Sequence, residues 1–438
     1  MKIIGMDISK GIATCVMLEE IPQDLETFIH SKDFVFWHIE PNASDLGAIA
    51  ALEPDAILFE ASGGRYERAF SDYFRAKGIT YRQVSGRRMS LDRQQMRLEK
   101  NDHFDALAIA IYGLKHWEDT RAFLPDIDPD MDWLRQQWLR RHSLNKLRSA
   151  HLSRVRGQFA YEFPEQMEFS YERDWGQGVH GVIAWLAGRA EKVTNSYWNN
   201  LHDGAVRRLK APGPGQPRPR VKCPGTFGRG VSEYTRWIAT QMADIEDAMA
   251  AIENDINALL AQERFKPYME AFDKLGLSQF VRSIWLTRIY PFERFMGADG
   301  LPMRVRRPSR TTGKICTHDR SLSQFKAALG AAQSTPRSGT DGGLAPTVSK
   351  RWQAKKRTDS KEDKIQPIGC KYSRIAFWNY AVVQIETGRA KAPLSTKLKD
   401  HRDKLKGKGK NMYQRAGNLH GYACKLLYKE LIDLVIST

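Results

Sequence analysis

Asp7, Glu60, Asp102 and Asp105 are the carboxylates of this 438-residue sequence whose settings suit them to chemistry. Asp7 lies in the apolar strand pattern Lys2–Ile8 (KIIGMDI), and Glu60 closes another, Asp55–Glu60 (DAILFE). Asp102 and Asp105 open a helical pattern that runs to Trp117. Residues at i and i+3 share one helix face, so these two can aim at a common point. Acids on strand ends and at a helix start are what a two-metal site needs. Hard oxygen ligands hold two Mg²⁺ ions about 4 Å apart, one activating an attacking oxygen and one stabilising the leaving oxygen of a phosphodiester. Each acid also has a plainer role, as a solvated charge or, for Asp102, as a charge facing the helix dipole.

The elements that must position them follow from hydrophobic period. Strands are expected at Lys2–Ile8, Gly11–Leu18, Asp33–Ile39, Asp55–Glu60 and Ile79–Val84. Helices are expected at Asn42–Leu52, from about Arg65 to Lys77, and from Asp102 to Trp117, where Phe104, Leu107, Ala108, Ile111 and Leu114 form one stripe. Hairpin-like strands followed by strand–helix units predict a mixed sheet flanked by helices over residues 1–120.

Residues 121–264 read as a helical linker and oligomerisation region. A basic helix is expected from Met131 to about Glu162, then a Pro/Gly/Arg linker at Pro212–Arg220 (PGPGQPRPR). Ile238, Met242, Ile245, Met249, Ile252, Ile256 and Leu259 step alternately by four and three, an a/d seam of about three heptads. It serves either a coiled coil between chains or a helix of the domain's own core. Residues 265–438 are mainly helical by pattern at Tyr372–Ile385 and Ala416–Val435, with Gly/Pro/Arg-rich and polar stretches at Gly297–Arg320 and Gln333–Lys364.

Charge separates these regions. Residues 1–120 hold 14 Lys/Arg against 19 Asp/Glu, so the net +17 of the chain divides into −5 there and +22 beyond. An acidic module joined to a strongly basic remainder favours nucleic acid as partner, with phosphate contacts offered by Arg140–Arg156, Arg304–Arg320, Lys350–Arg374 and Lys391–Arg415. Trp352, Tyr372, Trp378 and Tyr413 stand near these charges and can stack on unpaired bases. No apolar run of about 18 residues occurs to span a bilayer, and the basic stretches lack a strong amphipathic helix with a Trp/Leu face, which argues against a membrane partner. The start MKIIGMDISK lacks the plan of a signal peptide, so a cytoplasmic protein is expected. Five scattered cysteines (Cys15, Cys223, Cys316, Cys370, Cys424) suggest neither a disulfide framework nor a Cys-x-x-Cys metal site.

Three blocks, GMDISK (Gly5–Lys10), FEASGGRYERAF (Phe59–Phe70) and KNDHFDALAIA (Lys100–Ala110), resemble in order and spacing the RuvC-like DEDD domain of insertion-sequence transposases of the IS-one-ten family, related to the Piv and MooV invertases. The resemblance implies an RNase H-like (RuvC-like) fold for residues 1–120 and Asp7, Glu60, Asp102 and Asp105 as metal-binding acids, with two Mg²⁺ ions, or Mn²⁺ in their place. Farther on, SLSQFKAALGAAQSTPRSGT (Ser321–Thr340) resembles the serine block of that family's transposase domain, which implies Ser338, beside Gly339, as the nucleophile. Ser334 is the nearest rival. Pro367–Val383 and Leu405–Tyr428 look like the remaining blocks, whereas the family's Pro-Gly-Ile-Gly turn is replaced near Leu275-Gly276-Leu277 and a basic insertion occupies Arg304–Arg320.

What the resemblance implies is a recombinase joining target and donor DNA under the guidance of a bridge RNA, through a transient phosphoserine–DNA link, as a homodimer or a tetramer. The alternative is a RuvC-like endonuclease that cleaves branched nucleic acid with metal-activated water and leaves Ser338 inert. A third reading, a non-catalytic nucleic-acid assembly protein, would need the basic half and none of the acids.

Overall fold

A computed structural model describes residues 1–61, 66–119, 122–124, 128–164, 171, 173–189, 228–308, 313–331 and 370–436. They fall into two compact units, Met1–Asp128 and Pro129–Thr438.

The first unit runs β1 (Ile3–Ser9), β2 (Ile12–Leu18), α1 (Leu25–Ile29), β3 (Phe36–Ile39), α2 (Ala43–Ala51), β4 (Ala56–Glu60), α3 (Arg68–Ala76), β5 (Tyr81–Val84), α4 (Gly86–Gln95) and α5 (Asp102–His116). The strands form one mixed sheet in the order β3-β2-β1-β4-β5. β1 pairs antiparallel with β2 across the two-residue turn Lys10-Gly11, and β2 pairs antiparallel with β3. β4 joins β1 in parallel, and β5 joins β4 in parallel, each reached through a helix. Both faces of the sheet are covered, which is why β1 and β4 are apolar at almost every position instead of alternating. Ile4, Met6, Ile57 and Phe59 face Leu46 and Ile49 of α2 and Phe70 and Phe74 of α3. Ile3 and Leu58 face the opposite layer, with Met89 of α4 and Leu107 and Ile111 of α5. The period of two along a strand therefore sends Asp7 and Glu60 to the α4/α5 side.

Gly5 sets how close α5 comes to β1. A Cβ there would overlap the carbonyl oxygen of Ala106 and stand 2.9 Å from the Cβ of Ala110. Gly5→Ala must lift α5 off the strand, and overpacking of this kind costs about 1–3 kcal/mol. The expected outcome is a lower urea midpoint with an unchanged slope; a midpoint equal to the parent's would mean that α5 yields freely.

The second unit begins with α6 (Pro129–Glu162) and α7 (Gly181–Leu186), followed by α8 (Glu233–Leu260). α6 and α8 pair antiparallel. Met131, Leu134 and Trp138 near the start of α6 pack with Ile256, Leu259 and Leu260 at the end of α8. Val155, Phe159 and Phe163 pack with Ile238, Ala239 and Met242 at its beginning. Most of the heptad seam is filled within the chain: Ile238, Met242, Met249 and Ile256 are fully buried in this unit's own core, while Ile245 and Ile252 stay partly exposed.

Two carboxylates share that buried face. Glu253 accepts from Arg141 Nε at 2.8 Å and from the Gly176 amide at 2.8 Å, and pairs with Arg173 at 2.9 Å. Glu246, one heptad earlier, accepts from the His180 amide at 2.7 Å, and burial pushes its carboxyl up to about 7 against the opposing charge of Arg148. Arg141, expected to meet phosphate, is instead turned inward, with its guanidinium 4.9 Å from the ring centres of Trp175 and Phe280.

The unit continues with α9 (Lys266–Leu275), α10 (Gln279–Ile289), the strands β6 (Arg304–Pro308) and β7 (Ile315–Asp319), α11 (Arg320–Ala328), α12 (Lys371–Tyr380), α13 (Pro393–Gly407) and α14 (Met412–Leu431). β6 and β7 form an antiparallel ribbon where the sequence suggested only a Gly/Pro/Arg-rich stretch. The helices close around Trp285, Phe292, Phe325, Phe377 and Tyr428. α13 forms inside the Lys-dense segment because Leu394, Leu398 and Leu405 bury one face while the lysines stay outside. Among the described residues, no helix is long and apolar enough to cross a membrane.

Candidate active site

Three elements deliver the four acids to one end of the sheet. β1 and β4 run parallel with Met6 opposite Phe59, so the next residues along, Asp7 and Glu60, emerge side by side at the carboxyl ends of the two strands. In α/β sheets that edge is where ligands bind. α5 runs back over β1: Ala106 and Ala110 lie on Gly5, and Gly113 lies on Leu58 and Ile3. Its first turn, carrying Asp102 and Asp105, therefore lies toward Asp7. Asn101 caps that turn by accepting from the Phe104 amide at 2.8 Å.

The acids feel one another. Burial, followed by the charges of Asp105, Asp102 and Glu60, raises Asp7 to about 6, with Lys100 opposing. Glu60 is raised by burial and by Asp105. Asp105 is raised by burial, while Arg93 and Lys100 pull it back. Like charges gathered in a partly desolvated place resist ionising together, and a cation relieves them.

Residues outside the sequence motifs supply part of that relief. Arg93, on the last turn of α4, pairs through Nε with Asp105 Oδ1 at 2.7 Å. The carboxylate of Glu60 fills the space that a Cβ would take at Gly86, the first residue of α4. Ser85–Gln95 has too little hydrophobic period to predict a helix, although Ser85 carries an N-cap signal and accepts from the Arg88 amide at 3.3 Å.

The donor set, four carboxylates, suits a hard divalent cation. As they stand, no three Asp, Glu, His or Cys groups among the described residues are placed to hold a metal ion together. The donors have the right chemistry and the right edge of the sheet, with one of them engaged by a guanidinium.

Ser338 and Ser334 lie outside the described residues, as do Trp352 and most of Lys350–Arg374. Of the aromatic candidates, Tyr372 packs edge-on against Trp138, whereas exposed Tyr413 stacks on Trp378 at 5.0 Å and 17°. In the last basic segment Arg415 is spent on Glu386, bonding both carboxylate oxygens at 2.8 Å, and Arg402 pairs with Asp403. Lys391, Lys397, Lys404, Lys406, Lys408 and Lys410 remain exposed. No protein-family model and no curated protein matches the chain.

Proposed function

We propose that the chain is an insertion-sequence transposase of the IS-one-ten type, an RNA-guided DNA recombinase with a metal-dependent DEDD site and Ser338 as nucleophile. The observation that carries this reading is that Asp7, Glu60, Asp102 and Asp105, drawn from three separate sequence blocks, are directed to the carboxyl edge of β1 and β4, near enough for Asp7 to feel the charges of the other three. The RNase H-like assignment rests on the sheet itself: a three-stranded antiparallel meander extended by two parallel strands through helical crossovers. Asp7, Glu60, Asp102 and Asp105 would hold Mg²⁺, which when bound would stabilise negative charge building on the scissile phosphate. Burial at the strand ends keeps the carboxylates partly dry, where their charge acts more strongly than in water.

Exposed lysines around α13 and the Tyr413–Trp378 stack support contacts with phosphate and unpaired bases of DNA and of a bridge RNA. A homodimer or tetramer belongs to the same reading. It draws no support from the buried positions of the Ile238–Leu259 seam, Ile238, Met242, Met249, Ile256 and Leu259, which α6 and its neighbours fill.

The test is reconstitution of the purified full chain with Mg²⁺, the RNA transcribed beside its gene, and DNA carrying the two sites that RNA can pair with. Recombinant joints that require the RNA are expected. Nicks in branched DNA without joints or RNA dependence would favour the endonuclease reading instead.

A further inference from the structure

α4 touches the acidic cluster at both of its ends. Its first residue abuts the Glu60 carboxylate, and its last turn sends Arg93 to Asp105. Arg93 is only 9% exposed, and its Nη1 also donates to the Leu98 carbonyl at 3.3 Å. A buried guanidinium so held is anchored at two points and is not a surface charge passing by. Lys100, the other cation facing the cluster, is exposed and acts on Asp7, Glu60 and Asp105 without a short contact.

Given the metal reading above, on which this step rests, we propose that Arg93 is a resident counter-ion that competes with a divalent cation for Asp105. Loading of the site and release of Asp105 by Arg93 are then one event. Asp105 offers Oδ1 to Arg93, and a dication drawn to the same carboxylate meets a fixed positive charge within about 3 Å of the donor oxygen, which Coulomb repulsion in a partly desolvated place disfavours. A guanidinium that merely oriented Asp105 as a ligand would have the opposite effect on affinity, because partners of ligating carboxylates strengthen metal binding.

The sign of one measurement separates these roles. Mn²⁺ is titrated into the full chain, and free Mn²⁺ is read by electron paramagnetic resonance, with no DNA present. Arg93→Met is expected to bind Mn²⁺ about 10-fold more tightly than the parent, the lower end of what groups behind a metal ligand exert. Arg93→Lys, which keeps the charge but loses the planar fork, is expected between the two. It also preserves the comparison should Arg93→Met fold poorly. Adding Asp105→Asn to Arg93→Met is expected to abolish the gain. Thermal unfolding gives an independent readout: without Mn²⁺ the Arg93→Met midpoint falls, and Mn²⁺ raises it by more than it raises the parent's. Equal or weaker Mn²⁺ binding by both Arg93 variants, with the parent binding, overturns the competition and leaves the metal reading intact. No binding by the parent or any variant overturns both.

Discussion

Asp7→Asn is expected to lower DNA strand cleavage by about 10³-fold, the scale on which preorganised charge at a reacting centre is lost, while raising the stability of the metal-free chain. Both effects follow from its place in the cluster. Asp7 is the acid with the most neighbours of its own sign, raised to about 6 from an ordinary value of 3.8. A carboxyl raised on folding contributes stability that is fully present below the unfolded value and is lost as pH climbs through the folded one. The ionised Asp7 therefore strains the fold above about pH 6, and the loss develops between 3.8 and about 6. At roughly 1.4 kcal/mol per unit this strain is on the order of 1–3 kcal/mol, and asparagine, nearly the same shape and never charged, removes it. Urea unfolding in EDTA at pH 5 and pH 7.5 measures the stability half of the expectation. The parent should lose stability between the two values and the variant should lose less. A variant that is both inactive and less stable would point to a structural part for Asp7 instead of a functional one.

Ser338→Ala is expected to abolish a covalent protein–DNA adduct trapped by denaturing the reaction, and to lower recombination by about 10⁴-fold or more, as removal of a nucleophile does elsewhere. In the proposed step the Ser338 Oγ bonds to the scissile phosphorus, its proton leaves, and the departing DNA oxygen takes up a proton; the second transesterification restores the free serine. A hydroxyl needs help to attack, and charge at the phosphate supplies it. Ser334→Ala should leave the adduct in place. An adduct that survives Ser338→Ala and disappears with Ser334→Ala would move the nucleophile four residues upstream. Recombination undiminished in both variants would remove the serine from the chemistry and favour metal-activated water.

The parts of the first unit that were legible in the sequence are those in which local period and burial agree. β1 and β4 are short apolar runs because they are covered on both faces, and each carries a single acid, Asp7 near the end of the β1 pattern and Glu60 at the end of β4. The α5 stripe is equally plain, and its first turn places Asp102 and Asp105 by helical spacing alone. α4 escaped because GRRMSLDRQQ offers almost no apolar face: among its ten residues Met89 packs into the core, while Leu91 is exposed. The burial of Arg93 is decided by Asp105, twelve residues on and across a turn, and no periodicity reports such a pairing. β6 and β7 escaped for a related reason. Exposed residues such as Val305 and Ile315 leave the ribbon without the in–out alternation by which a strand is recognised.

The inward glutamates have a consequence for how the α6–α8 hairpin can change over time. Arg141 is ion-paired with Glu253 at 2.8 Å, and Arg148 lies near enough to Glu246 for its charge to oppose the effect of burial there, two layers seven residues apart on each helix, running in opposite directions. Hydrophobic packing along α8 alone would tolerate a slip, or an insertion, of one full heptad in that helix, since isoleucine or methionine would return to the same side. The charges would not. After such a slip one arginine and one glutamate still face each other, while the other arginine and the other glutamate lose their partner on the facing helix, a change that is costly for groups as buried as Arg141 and Glu253. The hairpin is therefore keyed as well as greased: its length can drift only by matched insertions in both arms, so the distance it spans is inherited as a fixed quantity.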